Sequence, residues 1–197
     1  MAPKKSEQPD RRTVRTQRQL KTMLIKLLHD KSIDKITVAE LARASDIGRG
    51  TFYIHYKDVY DLYDSVVADT VNQLTGIFDN YYPRDGNHNF TPLAAQIVKF
   101  IVAHQQLFEA LTHHGENIQA LKRINELVIY YILDAEHINK SNHKYVAAVG
   151  FASCGLIGII TSWVNSEAQT PADDLITVIS KSIAAMKEVA MSLKSAN

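Results

Sequence analysis

Cysteine is nearly missing from this chain, with one residue, Cys154, in 197. A lone cysteine excludes an intrachain disulfide and fits a reducing cytosol. A chain of this length buries roughly 70% of its unfolded surface when globular, so neither disulfides nor metals are needed to hold it together. Alternating apolar and polar runs long enough for a strand are also missing, which leaves helix as the dominant structure. The opening "MAPKKSEQPDRR" is polar, with no apolar stretch behind its charges, and is not a secretory signal. Internal repeats and low-complexity segments are absent. So are a Ser-His-Asp set, paired carboxylates and a glycine-rich phosphate loop, and an enzyme is therefore not expected. Glu109 and His113 share a helix face at i,i+4, but no third ligand stands at a telling spacing. His113 and His114 diverge by about 100° on a helix. No metal and no cofactor are expected.

What the chain does have is an uneven charge. The net charge of +1 conceals 13 Lys/Arg against 7 Asp/Glu in residues 1–60, and 9 against 14 in the remainder. A basic front on an acidic body points to an anionic partner for the front, with nucleic acid first. One run, "YVAAVGFASCGLIGIITSWV" at 145–164, carries no charge over twenty residues, long enough to cross a bilayer. It is richer in Ala, Gly and Ser than in Leu and lacks aromatic pairs at its ends. Its neighbours are amphipathic. A helix buried on all sides, in core or interface, is expected rather than a membrane span, with Cys154 a small hydrophobe within it.

The pattern predicts an all-α chain of about nine helices. A basic arm (1–11) precedes a helix over 13–30 with Leu20, Met23, Leu24, Leu27 and Leu28 at 3–4 spacing. "SIDKI" (32–36) is a turn. In "TVAE", Thr37 caps the next helix, 38–44, and Glu40 completes a capping box. "SDI" turns tightly into a helix over 48–55. Asp58 caps a long helix, 59–81, striped by Val59, Leu62, Tyr63, Val66, Val67, Leu74, Ile77 and Phe78. After the loop "PRDGNHN" (83–89), helices follow at 91–103, 105–113, 117–136, 144–165 and 171–194, the last opened by Pro171. Its stripe is Leu175, Ile179, Ile183, Met186, Ala190 and Leu193.

Two short helices joined by a tight turn, behind a longer helix and a basic arm, make a helix-turn-helix. Ala42 and Ala44 are small enough to let the two helices cross. Leu41, Ile47 and Phe52 supply apolar faces, and Asp46 stands where the turn needs a positive φ. The segment "TVAELARASDIGRGTFYIHYKDVYDLYDSVV" (37–67) resembles the DNA-binding domain of the tetracycline-repressor (TetR) family of bacterial regulators. The resemblance runs through Val38-Ala39-Glu40-Leu41-Ala42, Gly50-Thr51-Phe52-Tyr53, His55-Tyr56 and Lys57-Asp58 to Leu62. Asp46 replaces the family's usual turn glycine, and Gly48 its usual capping serine.

This resemblance implies a three-helix DNA-binding domain over 12–58, with its motif at 37–56, and a helical effector-binding and dimerisation domain over 59–197. It implies that Arg49 and Thr51 meet base edges in the major groove, Arg with guanine and the Thr methyl with thymine. Gly50 then lets the backbone approach the duplex, and Ile54 adds an apolar base contact. Tyr53, His55 and Lys57 bind phosphates, with Thr37 at the neighbouring helix start. Phe52 and Tyr56 belong to the core. The implied protein is a cytoplasmic regulator, most often a repressor, that binds a palindromic operator in double-stranded DNA as a homodimer. A co-activator that works through protein partners, with a drifted recognition helix, is the alternative. The last two helices are the implied dimer interface, through Gly155, Ile159, Ile179, Ile183 and Met186. "GLIGIITSWV" (155–164) also resembles the subgroup containing regulators of dihydroxyacetone-kinase operons. A small-molecule effector pocket is expected among the middle helices, lined by Phe100, His104, Phe108, Tyr130 and Trp163.

Overall fold

The computed structural model describes residues 10–84, 88–113, 118–165 and 170–194. Among them are nine α-helices: α1 (Arg11–Asp30), α2 (Val38–Ala44), α3 (Arg49–His55), α4 (Val59–Tyr81), α5 (Thr91–Ala103), α6 (Gln105–His113), α7 (Ile118–Ala135), α8 (His143–Val164) and α9 (Ala172–Lys194). A single 3-10 turn, Ile33–Lys35, occupies the "SIDKI" segment. No strand occurs among the described residues. The greater part of the arm at 1–11, like residues 85–87 of the loop, lies outside them.

Helix boundaries follow local chemistry. Asp10 caps α1 by accepting from the Arg12 amide at 3.1 Å. The Thr37 hydroxyl accepts from the Glu40 amide at 3.2 Å, and Asp58 accepts from the Asp61 amide at 2.8 Å. Asp61 returns the favour by accepting from the Lys57 amide at 2.9 Å, so two amides at the start of α4 are satisfied reciprocally. Asp46 has a φ of 52°, the left-handed conformation that its place in the turn required. Pro171 lies just ahead of α9 and contributes its carbonyl to the Leu175 amide, at 3.0 Å.

The chain forms two compact units, Met1–Val66 and Val67–Asn197. The boundary falls inside α4. In the first unit α1 packs on α2 and α2 on α3. Leu20, Leu24 and Leu28 of α1, Leu41 and Ala42 of α2 and Phe52 of α3 are all buried. Ala44 is exposed, so Ala42 alone supplies the small buried residue in α2. The Gln19 side-chain amide donates to the Ser45 carbonyl at 2.5 Å, which ties α1 to the turn ahead of α3.

In the second unit α8 packs against α7 and α9, and α9 against α5. One core of this unit gathers Leu74, Phe78, Phe90, Ile97, Ile101, Phe108 and Ile124. A polar cluster crosses this apolar interior. Lys187 Nζ lies 2.7 Å from Glu136 Oε1, with side-chain exposures of only 10% and 13%. The Tyr82 hydroxyl donates to the same carboxylate at 2.8 Å. Lys187 also lies over the rings of Tyr82 and Phe90, at 5.5 and 5.6 Å. Burial first, and then the Glu136 contact, push the Tyr82 hydroxyl well above the ordinary phenol range.

One expectation is overturned. Helix α8 is not buried on all sides within the chain: only Tyr145, Val149 and Ser153 are buried, while Phe151 is 73% exposed. Cys154 is exposed too, and is not a core hydrophobe. α8 meets α7, α9 and α6, and no described helix covers the side that carries Phe151. α8 is the one described helix long and apolar enough to cross a membrane.

Candidate functional site

The first unit presents a short helix on a rigid support. Phe52 points inward from α3 at 0% exposure, and Tyr56 follows at 6%. Their rings meet at 6.0 Å. With that side of α3 anchored, the helical period turns its neighbours outward. Arg49, Gly50, Tyr53, Ile54 and Lys57 are exposed, and Thr51 and His55 are half-buried. Ile54 is 78% exposed and Tyr53 59%, an unusual allowance of apolar surface for a seven-residue helix. Thr37, at the start of α2, is exposed as well. The eight residues singled out in the sequence therefore all reach solvent on this unit.

The helix start matters electrostatically. Gly48 caps α3 without any side-chain hydrogen bond, and its carbonyl accepts from the Thr51 and Phe52 amides at 3.0 and 3.2 Å. The amides of the first helical turn are thus not covered by a capping side chain. A Cβ built on Gly50 would meet no heavy atom within 4 Å. The fold does not require glycine there, and glycine weakens a helix by roughly 0.5–1 kcal/mol relative to alanine.

Not every cation of the unit faces outward unengaged. Lys31 pairs with Glu40 at 2.6 Å. The Lys31 contact, more than any other, holds the Glu40 carboxyl below its usual range. Arg11, Arg12, Arg15 and Arg18 of α1 are exposed. These four, and Tyr60 at 54% exposure, extend the polar and aromatic surface beyond the residues that motif comparison picked out. The i,i+4,i+7 spacing of Arg11, Arg15 and Arg18 was the available signal.

The nine described helices, the helix-turn-helix in the first unit among them, find ready counterparts. No family model matches the chain. A crystal structure of a TetR-family transcriptional regulator from Streptomyces coelicolor superimposes with a TM-score of 0.67, covering 91% of this chain and 83% of that one at 16% identity. The chain has the TetR-family fold. The dihydroxyacetone kinase operon activator DhaS shares this TetR-family fold with a TM-score of 0.59, over 88% of this chain and 97% of its own, at 15% identity. Among curated proteins, an uncharacterized HTH-type transcriptional regulator of Bacillus subtilis, YxbF, is 24% identical over 153 residues. That match spans 76% of this chain but 40% of YxbF, so the chain covers less than half the length of this relative.

Within the TetR-family fold, the second unit holds an apolar cavity with about 550 Å³ of empty space, its opening included. Helices α4 to α8 all contribute, through residues such as Phe78, Ile101, Phe108, Ile124 and Ile157, with the hydroxyls of Thr112 and Thr161. Of the five residues expected to line a pocket, Phe108 lines this cavity, and Trp163 lines a separate recess beside Ile101, Gln105 and Pro171. Phe100 and His104 are engaged with each other, their rings 4.4 Å apart. His104 Nδ1 donates to the Phe100 carbonyl at 2.9 Å, the ordinary work of a structural histidine. Tyr130 is 59% exposed, with Lys140 over its ring at 5.6 Å. Trp163 sits near the end of α8, its indole donating to the Thr170 carbonyl at 2.8 Å. The aromatics caught the eye in the sequence, whereas the cavity walls are built mostly from aliphatic residues that composition does not distinguish from core.

The five residues assigned to a dimer interface do come together. Gly155 and Ile159 of α8 and Ile179, Ile183 and Met186 of α9 line one open groove, beside Phe151. Ile179 is its floor, at 1% exposure. No cluster of metal-ligating side chains occurs among the described residues. Glu109 is engaged by Gln105 at 2.8 Å. The His113 side chain and all of His114 lie outside the described residues.

Proposed function

We propose that this chain is a cytoplasmic, DNA-binding transcriptional regulator, a repressor that grips a palindromic operator as a homodimer and responds to a small molecule. The observation that carries the reading is the outward face of α3. There, Arg49, Thr51, Tyr53 and Ile54, with Lys57 just beyond the helix, accompany a glycine that the fold itself does not need. Arg49 reads guanine through a bidentate hydrogen bond, and Thr51 and Ile54 meet thymine methyls. Tyr53, His55, Lys57 and Thr37 hold phosphates and fix the register. The bare amides at the start of α3 add a weak anion preference.

A single helix-turn-helix reads only a few base pairs, so two copies are needed for a specific site. The uncovered α8/α9 groove, with Phe151 at 73% exposure, supports pairing through a four-helix bundle. The domains then divide the work: residues 12–58 bind DNA, and 59–197 dimerise and receive the effector. Helix α4 runs through the boundary without a break, and an effector acts by favouring one setting of the two recognition helices over another. The co-activator alternative is not favoured, since Asp46 adopts the positive φ that the turn demands and α3 is neither buried nor masked.

Selection of genomic fragments by the purified full chain at low salt tests the reading. An inverted repeat should be enriched, with its half-sites about one turn of duplex apart. Affinity should fall steeply with salt, as about four to eight neutralised phosphates per dimer imply. Failure to bind any DNA at low salt would sink the proposal.

A further inference from the structure

The cavity of the second unit carries a chemical constraint of its own. Among the described residues, no side chain that lines it ionises: its walls are Leu, Ile, Val and Phe, and its only polar side chains are Thr112 and Thr161. Both hydroxyl-bearing residues stand at one end, joined by Asn165. The Asn165 side-chain amide donates to Thr112 Oγ1 at 2.9 Å and to the Thr161 carbonyl at 2.9 Å. Thr112 is occupied, since its hydroxyl donates to the Phe108 carbonyl at 2.8 Å while accepting from Asn165. The Thr161 hydroxyl makes no hydrogen bond among the described residues and lines the cavity. Among the described residues it is the one polar handle left over.

A charge of either sign brought into such a space would lose its hydration and gain no counter-charge, which is heavily disfavoured. An apolar chain would gain in proportion to the surface it buries. A single convergent polar group then sets orientation, as is usual in small-molecule sites. We infer that the cavity receives an uncharged hydrocarbon-chain molecule bearing one hydrogen-bonding oxygen, held at Thr161. This rests on reading the second unit as the effector receptor, and it names the class of effector. The oxygen accepts from the Thr161 hydroxyl or donates to it, and the chain lies along Ile157, Ile124 and Phe78.

Titration calorimetry on the full chain, without DNA, compares octanol, octanoate and octylamine at neutral pH. Octanol should bind at least tenfold more tightly than either charged analogue, a difference of about 1.4 kcal/mol. Thr161→Val, which keeps the shape of the side chain, should weaken octanol about three- to tenfold, the range of one neutral hydrogen bond. Ile157→Phe should fill the cavity and abolish octanol binding. Circular dichroism verifies that both variants fold, and should Ile157→Phe not fold, Ile124→Phe serves in its place. Octanoate or octylamine binding as tightly as octanol would overturn the proposal, as would octanol binding that is absent or indifferent to Thr161→Val. The regulatory reading is judged separately. Octanol that binds as described without altering operator affinity leaves the site standing and removes its role in regulation. DNA binding with no octanol uptake removes the site alone.

Discussion

Replacing Gly50 by alanine should move folding and DNA binding in opposite directions. Gly50 is the second residue of α3, a seven-residue helix, and is exposed. Nothing within 4 Å obstructs a Cβ there, so the methyl group enters the folded protein without strain. Alanine in place of a helical glycine contributes roughly 0.5–1 kcal/mol, and a position so near the helix start warrants about 0.5. At roughly 2–4 °C per kcal/mol for a chain of this size, Tm should rise by about 1–2 °C. In the proposed complex the same methyl would stand between the α3 backbone and the duplex, once in each protomer. It should hold the helix back and lengthen the proposed contacts of Arg49 and Thr51. Specific affinity should fall at least tenfold, about 1.4 kcal/mol. Binding to unrelated DNA, carried by phosphate contacts at a distance from Gly50, should change less. Thermal unfolding followed by circular dichroism gives the first quantity, and fluorescence anisotropy with operator and scrambled duplexes gives the second. A variant that is more stable yet binds its operator unchanged would refute the assignment of this face to DNA. A variant that is less stable would show that some part of the protein occupies the space above Gly50.

Arg49→Ala should relax sequence preference, whereas Lys57→Ala should weaken all DNA alike and lower the salt slope by about 1 per protomer. Competition titrations at several salt concentrations distinguish the two, and identical profiles would contradict the separate roles. Lys187→Met should cost about 3 kcal/mol, because it leaves the Glu136 carboxylate nearly buried with its pair removed. Glu136→Gln should cost less, since Lys187 keeps the faces of Tyr82 and Phe90. In denaturant titrations the double variant should fall short of the sum, and simple additivity would show that the pair is not coupled. Tyr145 is 1% exposed, and burial, followed by the Glu136 charge, pushes its hydroxyl up from 10.0 to about 12. Since the folded value is the higher, this contribution is complete below pH 10 and is lost between 10 and about 12, at about 1.4 kcal/mol per pH unit. Tyr145→Phe should flatten that alkaline decline, and an unchanged slope would exclude Tyr145 as its source. Phe151→Glu on the exposed face of α8 should shift sedimentation from dimer to monomer at micromolar concentration without lowering helical content.

Local chemistry made the helix-turn-helix legible in the sequence. Thr37 and Asp58 cap where their side chains can reach amides three residues on, and Asp46 adopts the backbone that its place in the turn required. These are contacts over a few residues, and neighbouring letters specify them. Phe52 could be assigned inward and Tyr53 and Ile54 outward for the same reason, because helical period relates them directly. The cavity was not legible. Phe100 and His104, chosen as lining, satisfy each other across one turn, and the walls fell instead to Ile157, Ile124 and Leu74. No spacing in the chain separates an isoleucine beside a void from one in solid core.

By itself, then, the amino-acid order determined where helices start and stop, which side of each is apolar, and that a basic first segment precedes an acidic remainder. Tertiary packing alone decided that α8 keeps an apolar side open to solvent, that its cysteine is accessible, and that Thr161 lines a cavity. The reason is physical: periodicity within a helix reports how strongly a face avoids water, while the identity of what covers that face depends on residues tens to hundreds of positions away. Those distant encounters are settled only when the helices meet.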